Sequence, residues 1–215
     1  MALAKRLPFA MRAQMEKRWV QTETWQQKPP TRELRGGTVV VVGLGSIGSE
    51  FVQKAKALGL HVIAVREHPE RGAAGAHQVV GQGELKRVLP RADYVVLAAP
   101  VTDSTRGIIC ADSLALMKSD TYLINVGRGP LIDNDALIAA LKERRIAGAA
   151  LDVFVEEPLP PSSPYWELEN VLITPHTAAI SSKLWERQYG LISENLKRFK
   201  AGEELLGVVN KTRGY

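Results

Sequence analysis

The chain has 215 residues, 45% of them hydrophobic, which suits one main globular domain and excludes disorder on composition. Its 28 basic and 23 acidic residues leave a formal net charge of +5, without the basic-aromatic module that would point to nucleic acid. Cys110 is the single cysteine, so an intramolecular disulfide and a cysteine-rich metal site are excluded. No apolar stretch approaches a membrane span or a secretory signal, so the expectation is a soluble, cytoplasmic protein without a metal.

Leu3, Leu7, Met11, Met15 and Trp19 recur every fourth residue, which predicts an opening amphipathic helix that Pro8 limits or kinks. Residues 19–30 read as an irregular arm. Its Trp19 and Trp25 suit docking, either on another subunit or on their own domain. Next comes a β-branched strand, Val39-Val40-Val41-Val42, followed by Gly43-Leu44-Gly45-Ser46-Ile47-Gly48 and a helix over 50–58. Each glycine has its own task. Gly43 allows the sharp turn, Gly45 leaves bare backbone for a pyrophosphate, and Gly48 lets helix and strand pack closely. The first-turn N–H groups of the helix then face an anion. Residues 61–65 read as the second strand, so this is a βαβ unit that binds a dinucleotide.

The alternation continues with strands at 78–80 and 94–99, a helix at 84–89 stopped by Pro90, and a short helix at 112–118. A strand at 122–126, a helix at 133–145, strands at 148–151 and 171–173 and a long helix at 181–200 complete it. Buried-looking strands alternating with helices predict an α/β, Rossmann-type, doubly wound parallel sheet in three layers, α/β/α. The expected division is 1–36 as a linking helix and arm, 37–178 as the dinucleotide-binding domain and 179–215 as a closing helix and tail. Ligands of such sheets bind beyond the carboxyl ends of the strands. That edge collects the glycine turn, Arg66, Ala99-Pro100, Gly127-Arg128-Gly129, Asp152 with Glu157, and Pro175-His176.

Four stretches together resemble the D-isomer-specific 2-hydroxyacid dehydrogenases, in particular their glyoxylate/hydroxypyruvate reductase-like members. They are the glycine turn from Val42 to Gly48, Leu123-Ile124-Asn125-Val126-Gly127-Arg128-Gly129, Leu151-Asp152-Val153-Phe154-Val155-Glu156-Glu157-Pro158 and Thr174-Pro175-His176-Thr177-Ala178. The resemblance runs from the opening helix to the final Arg213-Gly214-Tyr215. It implies hydride transfer between NAD(P)H and a small 2-oxo or 2-hydroxy acid, with Arg128, Glu157 and His176 as the catalytic set. In this reading Arg128 binds the carboxylate and carbonyl oxygens of the acid, and His176 exchanges a proton with the ketone oxygen. Glu157 would favour the imidazolium. The implied cofactor positions are Gly43, Gly45, Ser46, Ile47, Gly48, Arg66, Ala99, Pro100, Thr105, Val126, Gly127, Arg128, Asp152, His176 and Ala178. Taken singly, Arg128 suits a surface ion pair, His176 a helix cap, Glu157 a solvated charge and Asp152 a turn cap.

Two departures from the family pattern carry expectations. Members that prefer NAD place an acid at the end of the second strand, where this chain has Arg66. A guanidinium pairs with a 2′-phosphate, so NADP(H) is favoured over NAD(H), although the adjacent Glu67 can reach a ribose hydroxyl. Only about 37 residues precede the first strand, too few for the N-terminal substrate lobe of the family. The expectation is a fragment, a truncation or a start at an internal methionine, which binds cofactor with little turnover. The resemblance also implies a two-fold dimer through the cofactor domain. Two other readings are a non-catalytic nucleotide-binding module that senses redox state or assembles with partners, and a Rossmann domain of the formate dehydrogenase-like branch.

Overall fold

Apolar, β-branched runs form parallel strands when both of their faces are covered. The computed structural model describes residues 1–26 and 29–211, so part of the arm and the final Arg213-Gly214-Tyr215 lie outside the described residues. The strands are β1 (Thr38–Val42), β2 (His61–Arg66), β3 (Gln78–Gly81), β4 (Tyr94–Leu97), β5 (Tyr122–Asn125), β6 (Gly148–Leu151) and β7 (Val171–Ile173). Every pairing is parallel, in the order β3-β2-β1-β4-β5-β6-β7. The winding reverses between β1 and β4, as expected of a Rossmann-type doubly wound sheet.

The helices are α1 (Leu7–Met15), α2 (Gln21–Gln26), α3 (Ser46–Ala57), α4 (Leu85–Val88), α5 (Ala111–Ala115), α6 (Asn134–Lys142) and α7 (Leu184–Ala201). The chain divides into two compact units, Met1–Pro175 and His176–Tyr215. In the first unit, alternate strand residues feed two cores. Val40, Val42, Ile63, Val65, Val95, Leu97 and Leu123 share one with Leu85 and Val88 of α4, Leu114 of α5 and Leu137 and Leu141 of α6. Val39, Val41, Val62, Ala64, Tyr94 and Val96 share the other with Val52 and Ala55 of α3 and with Leu3 and Ala4. Burying each such aliphatic side chain contributes about 1.5–3 kcal/mol. In the second unit, α7 ends at Gly202 in a left-handed conformation, and the Asn195 carboxamide bonds both the N–H (2.8 Å) and the C=O (3.0 Å) of Leu206. The tail is thereby folded back on the helix.

Several expected elements are shifted. Pro8 lies in the first turn of α1, where its missing N–H has no helical partner to lose, so it opens the helix and does not kink it. Arg6 at φ 56° separates α1 from the preceding turn, and Trp19 falls beyond the helix end. The arm contains a helix, α2, that the polar sequence concealed. Strands β4 and β5 stop short of 99 and 126 because the chain leaves the sheet there to build loops. The Ala98 and Val126 amides still bond Val42 O (2.8 Å) and Leu97 O (3.1 Å). Cys110 is half-buried at the start of α5 with Sγ 3.7 Å from Ser113 Oγ. Hydrogen bonding from the Ser113 backbone outweighs burial and lowers its thiol pKa.

The amino edge of the sheet is held by Asp93. Its Oδ2 accepts from Thr38 N (2.7 Å) and its Oδ1 from Lys118 Nζ (2.7 Å), with Arg32 Nη1 at 3.5 Å. Arg32 also pairs with Asp120. Burial pushes the Asp93 carboxyl up, but the Lys118 bond, the Thr38 amide and the charges of Lys118 and Arg32 together hold it below the usual range. A depressed carboxylate adds stability above its unfolded pKa and loses it as pH falls through the folded one. Asp93→Asn is therefore expected to cost about 2 kcal/mol at neutral pH. The difference from the unsubstituted chain should shrink in urea titrations repeated at pH values stepped down below the usual carboxylate range. A methyl on Gly48 would lie 1.9 Å from Gly43 O. Gly48→Ala should destabilise the chain by about 2 kcal/mol or more, measured by the same denaturation, because neither backbone can yield.

Candidate functional site

In the first unit the carboxyl edge of the sheet is extended by one further ladder bond at the exits of β1, β4, β5, β6 and β7. Gly43 N bonds Val65 O (2.9 Å), Asp152 N bonds Asn125 O (3.0 Å) and Thr174 N bonds Leu151 O (3.0 Å), alongside the Ala98 and Val126 bonds. The loops leaving β1, β4, β5, β6 and β7 therefore start from fixed positions on one edge. Their polar residues are brought together by topology, although they lie far apart in sequence.

The three turn glycines differ physically. Gly43 has φ 95°, and a methyl there would lie 2.6 Å from the backbone of Ala99, at the exit of β4. Gly48 is filled from within by the Gly43 carbonyl. A methyl on Gly45, by contrast, meets nothing within 4 Å. The protein itself does not need a glycine at 45, so the space above it is available to a ligand. Gly45 is also the N-cap of α3, whose first-turn residues Ser46 and Ile47 are exposed. Unpaired N–H groups and the positive end of the helix dipole make this place suited to an anion such as a phosphate.

Beside it runs the loop after β5. Arg128 is exposed, and its Nη1 donates to Gly127 O (2.7 Å). Gly127 is buried against Ala99 O and Leu131, where a methyl would lie 2.9 Å from each. At Gly129 a methyl would fall 2.0 Å from the Phe154 carbonyl carbon, so this loop lies directly on the loop after β6. That second loop carries Glu157, whose Oε1 accepts from Phe154 N (2.8 Å). Asp152 is 4% exposed and accepts from Thr174 Oγ1 at 2.5 Å. Arg128, Asp152 and Glu157 thus stand on adjoining loops of one unit.

Arg66 is the last residue of β2, and its Nη1 donates to Gly72 O (3.0 Å) in the following loop. Arg66 itself stands at the carboxyl edge beside the glycine turn, because β2 pairs with β1 through Val65 and Val42. Ala99 is buried, whereas Pro100 and Val126 are partly exposed. Thr105 is 2% exposed and its hydroxyl is taken up locally, donating to Pro100 O (2.7 Å) and accepting from Thr102 N (2.8 Å). It braces the loop after β4 and shapes the cleft without offering it a free hydroxyl. His176, Thr177 and Ala178 open the second unit, where His176 is exposed with φ 53° and Thr177 O accepts from Ile180 N (2.9 Å).

Sequence reasoning gives no role to Asn125 or Thr174, and it places Gly129 at the edge only as part of Gly127-Arg128-Gly129. A buried asparagine just before a Gly-Arg-Gly turn was the available signal for the first. The contacts of the other two cross between loops and leave no local pattern. Among the described residues no group of three or more His, Cys, Asp or Glu is placed to hold a metal ion, and no helix is long and apolar enough to cross a membrane.

Residues 1–178 match the family described as D-isomer specific 2-hydroxyacid dehydrogenase, NAD binding domain. An uncharacterised protein of Corynebacterium melassecola is 41% identical over 178 residues, covering 83% of this chain and 58% of the relative. A glyoxylate reductase of Korarchaeum cryptofilum is 35% identical over 215 residues, covering 98% of this chain and 63% of the relative. The chain thus spans about three-fifths of the length of these two curated relatives. A D-isomer specific 2-hydroxyacid dehydrogenase of Xanthobacter autotrophicus Py2, crystallised with NADPH and MES, superposes with a TM-score of 0.84 at 36% identity. That match covers all of this chain and 84% of the other. The match over residues 1–178 and the shared sheet place the chain in the D-isomer specific 2-hydroxyacid dehydrogenase family, to which it belongs through its NAD binding domain.

Proposed function

We propose that this chain is the cofactor-binding part of an NADP(H)-dependent oxidoreductase acting on a small 2-oxo or 2-hydroxy acid of the glyoxylate/hydroxypyruvate type. The observation that carries the reading is the open backbone above Gly45 at the start of α3, flanked by two glycine positions that the protein itself fills. A pyrophosphate fits that place, and its charge is met by the α3 amides. We assign 37–178 to the cofactor domain, 1–36 to the linking helix and arm, and 179–215 to the closing helix and tail.

The nicotinamide, when bound, supplies or accepts the hydride. Arg128 would grip the carboxylate and the carbonyl oxygen of the acid, since its planar fork stays charged and presents paired donors. His176 would donate the proton to the carbonyl oxygen during reduction and take it back in the reverse direction, and Glu157 is the third member of the proposed catalytic set. Asp152, buried and oriented by Thr174, would accept from the nicotinamide amide. Arg66 would pair with a 2′-phosphate, which agrees with the NADPH bound to the Xanthobacter protein. A homodimer is part of the same reading. Met15, Trp19 and Trp25 are 85%, 87% and 80% exposed around α1 and α2, more large apolar surface than a lone arm ordinarily leaves in water. A reducing, cytoplasmic setting suits the unpaired Cys110.

Titration by cofactor fluorescence tests the central claim. NADPH is expected to bind at least about tenfold more tightly than NADH, and Arg66→Asp should reverse the order, since one charge-assisted pair is worth about 1.5–3 kcal/mol. Gly45→Ala should leave the denaturation midpoint unchanged while weakening both nucleotides. If neither nucleotide binds the unsubstituted chain, the reading is abandoned. In sedimentation equilibrium the chain should be a dimer, and Trp19→Glu with Trp25→Glu should give monomers that still bind NADPH. A monomer at all concentrations rejects the dimer alone.

A further inference from the structure

Asn125 ends β5 with none of its surface exposed. A carboxamide left without partners there costs about 1–3 kcal/mol, and an aliphatic side chain would avoid that cost. Its strand pairing is made by backbone, to Leu97 on one side and Leu151 on the other, so the sheet does not call for an amide at this position. Both ends of the carboxamide serve the backbone two and three residues further on instead. Oδ1 accepts from Gly127 N (3.0 Å) and Nδ2 donates to Arg128 O (2.9 Å).

These bonds complete a closed set around Arg128. The Arg128 carbonyl also accepts from Leu131 N (3.2 Å), and Gly127 O accepts from the guanidinium of Arg128 itself (2.7 Å). Gly129 presses on the Phe154 peptide at a distance that no side chain could share. Asn125 therefore holds from below the 126–127 peptide and the 128–129 peptide, which bracket Arg128, and the neighbouring loop closes in on Gly129 from the side. A long side chain can be aimed only as well as its Cα is held, and errors near an ångström are costly to bound reactants.

We infer that Asn125 is a positioning residue for Arg128: it braces the loop so that the guanidinium fork is already oriented for the carboxylate of a 2-oxo acid. This rests on the proposed role of Arg128 as the residue that grips that carboxylate. Asn125 acts through Arg128 and touches neither acid nor nicotinamide in this inference.

The test uses the 215-residue chain loaded with NADPH and oxamate, the amide analogue of a 2-oxo acid, as the probe. Asn125→Asp keeps the size and the Oδ1 acceptor but turns an acceptor toward Arg128 O; Asn125→Ser is a second variant that avoids a buried charge. Each is expected to lose about tenfold or more in oxamate affinity with NADPH affinity changed less than about threefold. Amide hydrogen exchange at Gly127 and Leu131 should be faster in both. Placed on an Arg128→Ala background, either substitution should cause no further loss of oxamate affinity. Equal losses with and without Arg128, or exchange that does not change, overturn the inference while leaving the proposed function standing. Oxamate binding that is absent from the unsubstituted chain, or undiminished by Arg128→Ala alone, removes the proposed role of Arg128 and this inference with it.

Discussion

The Gly43 carbonyl occupies the place where a side chain on Gly48 would begin, and most of the functional edge follows from that contact. It brings the start of α3 against the end of β1, so the helix N-terminus is aimed at the carboxyl edge of the sheet. The same turn leans on the backbone of Ala99, at the exit of β4. Strands β1 and β4 are where the winding reverses, and the crevice of a doubly wound sheet opens there. Helix dipole, open backbone and crevice therefore coincide because one methyl group is missing at each of two positions.

The two edges of the sheet have different physical characters. At the amino edge, Asp93 ties the starts of β1 and β4 to Lys118 and Arg32 in a partly buried charge cluster, and Thr121 Oγ1 adds a bond to Ala92 O (2.7 Å). At the carboxyl edge the polar side chains mostly bond to nearby loop backbone: Asn125, at the end of β5, to 127 and 128, Thr105 to 100 and 102, Glu157 to Phe154. The first arrangement resists separation of the strands. The second shapes the loops and, through Asn125, ties one of them to the end of its strand, as suits a scaffold that holds ligand-binding loops on a stable core.

Much of this was legible in order along the chain. The separate tasks of Gly43, Gly45 and Gly48 follow from their spacing, and the structure assigns each the steric setting expected. Hydrophobic pattern alone places Arg66 at a strand end, and it is the last residue of β2. The opening segment is less legible. A four-residue repeat from Leu3 to Trp19 implies one helix, but Arg6 adopts a left-handed conformation and Pro8 restarts the helix. Apolar spacing records which residues share a face, and it is blind to a local break that leaves the face intact. The short helix α2 was hidden for a related reason, since its polar residues bury no face and so leave no periodic trace.

Composition, strand–helix alternation and glycine spacing by themselves determined the fold class, the strand that starts the dinucleotide turn and the edge on which polar residues gather. These are properties of backbone sterics and of one-dimensional apolar periodicity, so they can be read from local sequence. Only the tertiary structure decided what each polar group touches: that Asn125 serves the backbone of Arg128, that Thr105 is spent within its loop, that Thr174 orients Asp152 and that Gly129 seats one loop on another. Such pairings join residues whose separation in sequence is set by intervening helices and loops. A hydrogen bond carries no periodicity, and its partner is chosen by the packing that folding brings about.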